Sequence, residues 1–388
     1  MAIEGRVDEK VVEKTAEQKG GFTTNKVLQN ELSRILSKDA SVDLQPWLDK
    51  SASSYSTNRS KAVDYALRQS RTELAPLEPK PRPSLPRFIS RAVSSKSPLM
   101  VLHDLQSAVQ TWAVEKGLLH FPEAIIEDQL VEAILDYQII ADLPSSTLIG
   151  LSPDLVIKSA PLSAIRYLPT FDYIAREVSQ LQVAAHLGVL GAESRAYIFM
   201  RRVPGISLDK IWADLGQSQK TSVMQQLEVS FGLLRMIPRP SSDFPLGTGS
   251  PAACVDVRRY NRTSSSIIRN EHDFNQFLIT KPDGSKMAFM DMTLGFMQEN
   301  HEIVLTHGDL HPRNIMVTQN TQSGEIKVEA LIDWEMCGWY PAYWEYIKAL
   351  NTISHADGTL DWYKYLPIKA IGMWGNEYAV DQLIDRRL

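Results

Sequence analysis

Only two cysteines occur among the 388 residues, Cys254 and Cys337, 83 positions apart. A pair so placed excludes a disulfide framework and any Cys-x-x-Cys metal pattern, and suits a reducing compartment. No run of about 18 apolar residues is present to span a bilayer. The opening residues, MAIEGRVDEK, are charged where a secretory leader needs an apolar core. The expectation is a cytoplasmic protein with no membrane partner. Lys and Arg nowhere cluster in fives or sixes, although residues 1–98 carry 17 of them against 12 acids, leaving 24 against 34 in the rest. The front end is thus +5 (17 − 12) and the remainder −10 (24 − 34). Such scattered charge describes a solvated, weakly basic extension and argues against a nucleic-acid partner.

Large apolar residues are also scarce in 1–98, which hold a Ser-rich stretch (51–60) and a Pro-rich one (74–87). That composition buries little surface against the entropy of ordering, so this segment is expected to be mostly disordered, with a helix around Asn25 to Leu36 and a stiff linker at its end. Beyond it, Leu102, Leu105, Val109 and Trp112, then Ile125, Leu130, Ile134 and Tyr137, recur at spacings near three and four. Two amphipathic helices follow from that period, packed on a first lobe. From Thr147 the rhythm shortens to Leu148-Ile149-Gly150 and Leu155-Val156-Ile157 about a Ser-Pro-Asp turn, which reads as a hairpin. Phe171 to Leu187 reads as a helix, Tyr197 to Met200 as a third strand, and the chain after Pro204-Gly205 as mostly helical: Leu208 to Leu215, Ser222 to Arg235, Asp273 to Asn300. The order suits an α+β, two-lobed fold with domains at 1–98, 99–203 and 204–388.

The chemistry sits in Thr306-His307-Gly308-Asp309-Leu310-His311-Pro312-Arg313-Asn314, followed by Ile315-Met316-Val317. An Asp followed five positions later by Asn, in a loop leading into a strand, is a phosphoryl-transfer arrangement: the Asp orients a hydroxyl and accepts its proton, and the Asn carbonyl ligates magnesium. The alternating run 325–332 then returns Asp333 beside Asn314 through a hairpin, so that two hard oxygen ligands converge. His307 and His311 are four apart but have Gly308 and Pro312 among them, so they are structural and not helical metal ligands. Trp334, Trp339 and Trp344 read as core.

HGDLHPRNIMV followed by LIDWE resembles the aminoglycoside phosphotransferase and choline kinase superfamily, and WEMCGWYPAYWEYIKAL (334–350) resembles its fungal branch. The resemblance implies a protein-kinase-like fold, ATP and Mg²⁺ as cofactors, and transfer of the γ-phosphoryl group to the hydroxyl of a small molecule. It implies Asp309 as catalytic base, Asn314 and Asp333 as magnesium ligands, Lys158 as phosphate-binding lysine, Glu177 as the helix carboxylate paired with it, and backbone around Met200, Arg201 and Val203 as the adenine contacts. Two departures stand out. Between Ser145 and Lys158 only Gly150 is available for a phosphate loop, and between Glu177 and Tyr197 no Pro-containing strand is recognisable, Gly188 to Ser194 standing in its place. A first lobe one strand short would suit the alternative, a non-catalytic, nucleotide-binding pseudokinase. A Ser/Thr/Tyr protein kinase is disfavoured by Gly308 in place of an arginine and Trp334-Glu335 in place of Phe-Gly. Glu335 and Glu345 read either as contacts for a cationic acceptor or, preferably, as salt-bridged structure.

Overall fold

The computed structural model describes residues 96–385 apart from 119–124, 144, 179–180, 182, 250–251, 258–261, 282–289 and 353–357, together with 41–74 and scattered positions between 17 and 39. The chain divides into two compact units between Ser84 and Leu85. In the first, where disorder is expected, Gln45–Leu74 forms one 30-residue helix, α1. Composition misleads there because it scores only apolar content. Between Pro46 and Pro76 there is no Pro or Gly to break a helix, Asp43 Oδ1 accepts the Gln45 amide at 2.9 Å at its start, and Ser53 and Ser54 bond back to the Lys50 carbonyl at 2.8 and 3.0 Å. Serines whose hydroxyls are satisfied along the helix no longer compete for its backbone. The described residues between Asn25 and Leu36 are helical. Residues 75–95, with most of the Pro-rich segment, lie outside the described residues.

The second unit opens with β1 (Met100–His103), α2 (Ser107–Glu115), α3 (Glu127–Ile134), β2 (Gln138–Leu143), β3 (Ser146–Gly150), β4 (Leu155–Pro161), α4 (Leu168–Glu177), β5 (His186–Gly191) and β6 (Arg195–Arg201). The six strands form one antiparallel sheet in the order β1-β5-β6-β4-β3-β2. The central strands β4, β5 and β6 are buried almost throughout, which explains their nearly continuous apolar runs. As expected, α2 and α3 pack on this lobe: Val109, Trp112, Leu130 and Ile134 share a core with Ile149, Ile157, Leu190 and Phe199. Arg195 and Tyr197 both bond Glu127 at 2.7 Å, pinning α3 to the sheet.

Two expectations fail here. The helix read over Phe171 to Leu187 ends at Glu177, because Ile174 and Leu181 fall on the core side in either conformation and periodicity alone could not mark the exit. The freed chain supplies β5, in the interval that seemed to lack a strand, so the lobe is complete. The hairpin read about Ser152-Pro153-Asp154 is present as β3 and β4, Ile149 facing Ile157 and Gly150 facing Val156, with the Leu151 and Ser152 amides both donating to the Leu155 carbonyl across the turn. Gly150 is the last residue of β3.

Beyond β6 come β7 (Ile206–Ser207), short 3₁₀ turns at Leu208–Lys210 and Trp212–Asp214, α5 (Gln217–Arg235), a two-residue ladder of β8 (Val255–Asp256) and β9 (Arg262–Thr263), α6 (Glu271–Ile279), α7 (Met290–Leu294), β10 (Ile303–Thr306), β11 (Ile315–Gln319), β12 (Ile326–Leu331), β13 (Gly338–Pro341), α8 (Trp344–Asn351), α9 (Ile368–Ile371) and α10 (Gly375–Asp385). The helix expected over 208–215 is thus 3₁₀, and that over 273–300 is two pieces with 282–289 outside the described residues. Val223, Leu227, Phe231 and Leu234 give α5 a stripe at helical spacing. That stripe and Ile174 and Ile198 of the first lobe belong to one core with Leu305, Ile315, Val317 and Leu331, so apolar packing runs continuously from sheet to helical lobe. β7 pairs with β11, which pairs with β12. At Gly205 (φ 90°) a Cβ would lie 2.1 Å from the Val317 carbonyl, so only glycine lets the connector between lobes lie against the β11–β12 hairpin.

Candidate active site

β10 and β11 are joined by the loop that carries Asp309. Its backbone is braced from beneath: Glu345, on the first turn of α8 and wholly buried, accepts the amides of His307 at 2.7 Å and Gly308 at 3.2 Å. His307 Nδ1 accepts the Asp309 amide at 3.2 Å, and its Nε2 donates to the Ile332 carbonyl at 3.0 Å. This fixes one tautomer and ties the loop to the chain entering Asp333. His311 Nδ1 accepts the Arg313 amide at 3.1 Å. Both histidines are structural, as their spacing implied, and the tryptophans 334, 339 and 344 are core. At Gly308 (φ 80°) a Cβ would come within 2.4 Å of the Met336 carbonyl, so the loop and the turn after Asp333 touch only because residue 308 has no side chain.

Asp309 Oδ1 and Oδ2 lie 2.8 and 2.9 Å from Arg313 Nη2, and Asn314 Nδ2 donates to Oδ2 at 2.7 Å and to the Asp309 carbonyl at 2.9 Å. Burial opposes ionisation of this carboxyl, but the Arg313 guanidinium, helped by His307 and Lys348, outweighs it and holds Asp309 below the ordinary carboxylate value. With its side-chain nitrogen turned to Asp309, Asn314 has its side-chain oxygen Oδ1, distinct from its backbone carbonyl, left for a cation. Ile332 donates to the Asn314 carbonyl at 2.9 Å, and in the ladder Ile315 faces Leu331, so Asn314 and Asp333 sit at one end of the hairpin as expected. Asp333 alone among the described non-glycine residues has a left-handed backbone, φ 63° and ψ 59°. That conformation costs about 1–2 kcal/mol and marks a residue held for its side chain's direction.

Lys158 reaches this turn from β4. Its Nζ lies 3.1 Å from Asp333 Oδ1 and is hydrogen-bonded to Glu335 Oε1. Burial alone would lower its pKa, yet the two carboxylates raise it, so the ammonium is retained. Here the expected pairing is corrected. Glu177 is at the last position of α4, its carboxylate 3.6 Å from Arg176 Nε on an exposed edge, and the partner of Lys158 is Glu335. A carboxylate two residues past Asp333 reaches the lysine because the chain turns over in the 3₁₀ segment Trp334–Met336, while the Glu177 carboxylate lies beside Arg176. Behind the lysine, burial, with the charges of His103 and Lys158, pushes His186 down to about 3. It is neutral, and its Nε2 shares a hydrogen bond with the Tyr167 hydroxyl at 2.9 Å.

Of the connector residues, Met200 on β6 lies opposite Val156 and packs against the main core. The Arg201 amide is committed to the Ala185 carbonyl at 2.9 Å, and Val203 follows in the connector. Asp309, Asn314, Asp333 and Lys158 are thus brought together, Met200 and Arg201 end β6 with Val203 in the connector after it, and Glu177 stands apart. Sequence reasoning missed Arg313; it preferred a structural role for Glu335 and Glu345, and the structure gives Glu335 an ion pair with Lys158 and Glu345 the amides of His307 and Gly308. A signal for Glu345 did exist: an acid and Lys348, three apart, on a helix whose other buried positions are Trp344, Ile347 and Ala349.

A search of curated proteins finds no match. Solved structures similar to the chain include a streptomycin–ATP ternary complex of APH(2")-IIa (TM-score 0.43, 10% identity, 73% of this chain and 86% of that one). Others are a thermostable mutant of aminoglycoside phosphotransferase APH(4)-Ia with ADP and hygromycin B (0.43, 14%, 66% and 86%) and aminoglycoside phosphotransferase APH(3'')-Id from Streptomyces rimosus (0.41, 10%, 72% and 98%). The sequence model of the phosphotransferase enzyme family, APH, matches residues 148–366, more than half of the chain and every one of the four converging residues. On that match, the chain belongs to the phosphotransferase enzyme family.

Proposed function

We propose that this protein is an ATP- and Mg²⁺-dependent phosphotransferase acting on the hydroxyl of a small molecule. The observation that carries the reading is the convergence of one lysine, two candidate metal ligands and a hydrogen-bonded aspartate at one end of the β11–β12 hairpin. The donor set suits magnesium. Among the described residues no cluster of three or more His, Cys, Asp or Glu could cage a metal, and Mg²⁺ is usually held by one or two protein oxygens together with phosphates and water. When bound, Mg-ATP supplies the phosphoryl group and neutralises its charge, with Asn314 Oδ1 and the Asp333 carboxylate holding the metal.

The chain's own residues do the rest. Lys158 offers its ammonium to phosphate oxygens, and its bond to Glu335 would keep it in place where Asp333 holds the metal. Connector backbone at Met200 and Val203 borders the base, with the Arg201 amide already used within the sheet. Asp309 Oδ1, which carries one hydrogen bond where Oδ2 carries two, receives the acceptor hydroxyl's proton. A carboxylate held below its ordinary value is a weaker base, which suits phosphoryl transfer, where positioning outweighs proton abstraction. The motive for a pseudokinase, a first lobe short of a strand, falls away with β5 in place.

Millimolar Mg-ATP should raise the melting temperature, by the equivalent of about 2.7 kcal/mol at a hundredfold excess over Kd, accompanied by slow ATP hydrolysis. Chelating the metal or changing Asp333 to Asn should remove the shift. Absence of any shift in the wild-type protein would overturn the reading.

A further inference from the structure

We infer that the acceptor carries an anionic group, a carboxylate or a phosphate, close to its reacting hydroxyl, and that the Arg313 guanidinium binds it. The inference rests on the phosphotransferase reading and names its substrate class. Two acids in this region could have served a cationic acceptor, and the structure commits both. Glu345 is fully buried and holds the amides of the catalytic loop, while Glu335 is bonded to Lys158. Asp309 is itself engaged by Arg313 and Asn314.

Arg313, by contrast, has donors to spare. Only its Nη2 touches Asp309, its Nε and Nη1 make no hydrogen bond to the described residues, and 46% of its side chain is exposed. Its backbone is held, because its amide donates to His311 Nδ1 and it stands between buried Pro312 and Asn314 in a 3₁₀ turn, and its guanidinium is tethered through Nη2 to Asp309. A guanidinium anchored through one nitrogen beside the general base presents its remaining N–H edge to whatever lies next to the reacting hydroxyl. That planar fork matches a carboxylate or phosphate with two parallel bonds and repels an ammonium. Buried Lys348 adds positive charge at Asp309 from the α8 side.

The probes are glycerol 3-phosphate and 3-hydroxybutyrate as anionic alcohols, and kanamycin and choline as cationic ones, titrated calorimetrically into the full chain with and without saturating Mg-ADP. Wild-type protein should bind an anionic probe, the phosphate or the carboxylate arm telling which group is preferred, and Arg313→Ala should weaken that binding at least about tenfold, with Arg313→Lys between. Mg-ATP and Mg-ADP affinities should stay within about threefold of each other's wild-type ratio. Binding of a cationic probe, failure of both anionic probes, or anion affinity equal in wild type and Arg313→Ala would overturn the inference. So would a selective loss of Mg-ATP over Mg-ADP affinity in Arg313→Ala, which would give the guanidinium to the nucleotide. Failure of wild type to bind Mg-ADP defeats the phosphotransferase reading instead, and the titrations without nucleotide still decide the anion site.

Discussion

Removing the Glu345 carboxylate tests whether the loop that carries Asp309 is held from beneath. In Glu345→Ala the amides of His307 and Gly308, accepted at 2.7 and 3.2 Å by a residue with no exposure, lose their acceptor in a place water does not reach. Each orphaned buried donor costs about 1–3 kcal/mol, so the variant should be destabilised by roughly 2–6 kcal/mol. Glu345→Gln keeps one carbonyl oxygen but turns an N–H₂ toward an N–H, so about 1–3 kcal/mol is expected. Urea unfolding at unchanged m-value reads both. A pH series adds an independent check. Burial pushes the Glu345 carboxyl above its ordinary value of 4.5, against the pull of His307 and Arg235. Just above pH 4.5 the folded state therefore binds more protons than the unfolded chain, and this group's contribution to stability falls as pH rises through that interval. The Gln variant should lack that slope. If Glu345→Ala unfolds within 0.5 kcal/mol of wild type, ~ the scatter of a neutral substitution, the loop is not held this way.

Asp309→Asn should leave Mg-ATP affinity within a few-fold while lowering phosphoryl transfer by roughly two to four decades; wild-type turnover in this variant would remove Asp309 from the chemistry. Gly308→Ala should cost about 1–3 kcal/mol from the positive φ and the Met336 carbonyl in its path, and calorimetric unfolding with unchanged melting would show that the loop can move aside. His186, held at about 3 against 6.5 in the unfolded chain, makes the folded state lose stability as pH falls below 6.5, by about 2 kcal/mol at pH 5. His186→Phe should flatten that limb, and an unaltered acid profile would mean that the imidazole is solvated after all.

What the sequence shows and hides follows from the range of the interactions involved. Asp309 and Asn314 are five residues apart, and the hairpin that returns Asp333 to them is local, so the pattern of residues carries the geometry almost directly. The exit of α4 at Glu177 is a different matter: core residues continue at a helix-like spacing through Leu181, and only the partner strand β6 makes an extended path from His186 preferable. The lysine's partner is farther still from local control. Lys158 and Glu335 are 177 positions apart, and which carboxylate meets the ammonium depends on how tightly the chain turns after Asp333 and on where α4 stops. A helix glutamate about 19 residues past the lysine satisfies a one-dimensional expectation equally well in either outcome. Charge that is fixed by a turn and charge that is fixed by a helix look alike in a string of letters, so a substitution at Glu335 and one at Glu177 separate them: nucleotide affinity should respond to Glu335→Gln and be indifferent to Glu177→Gln.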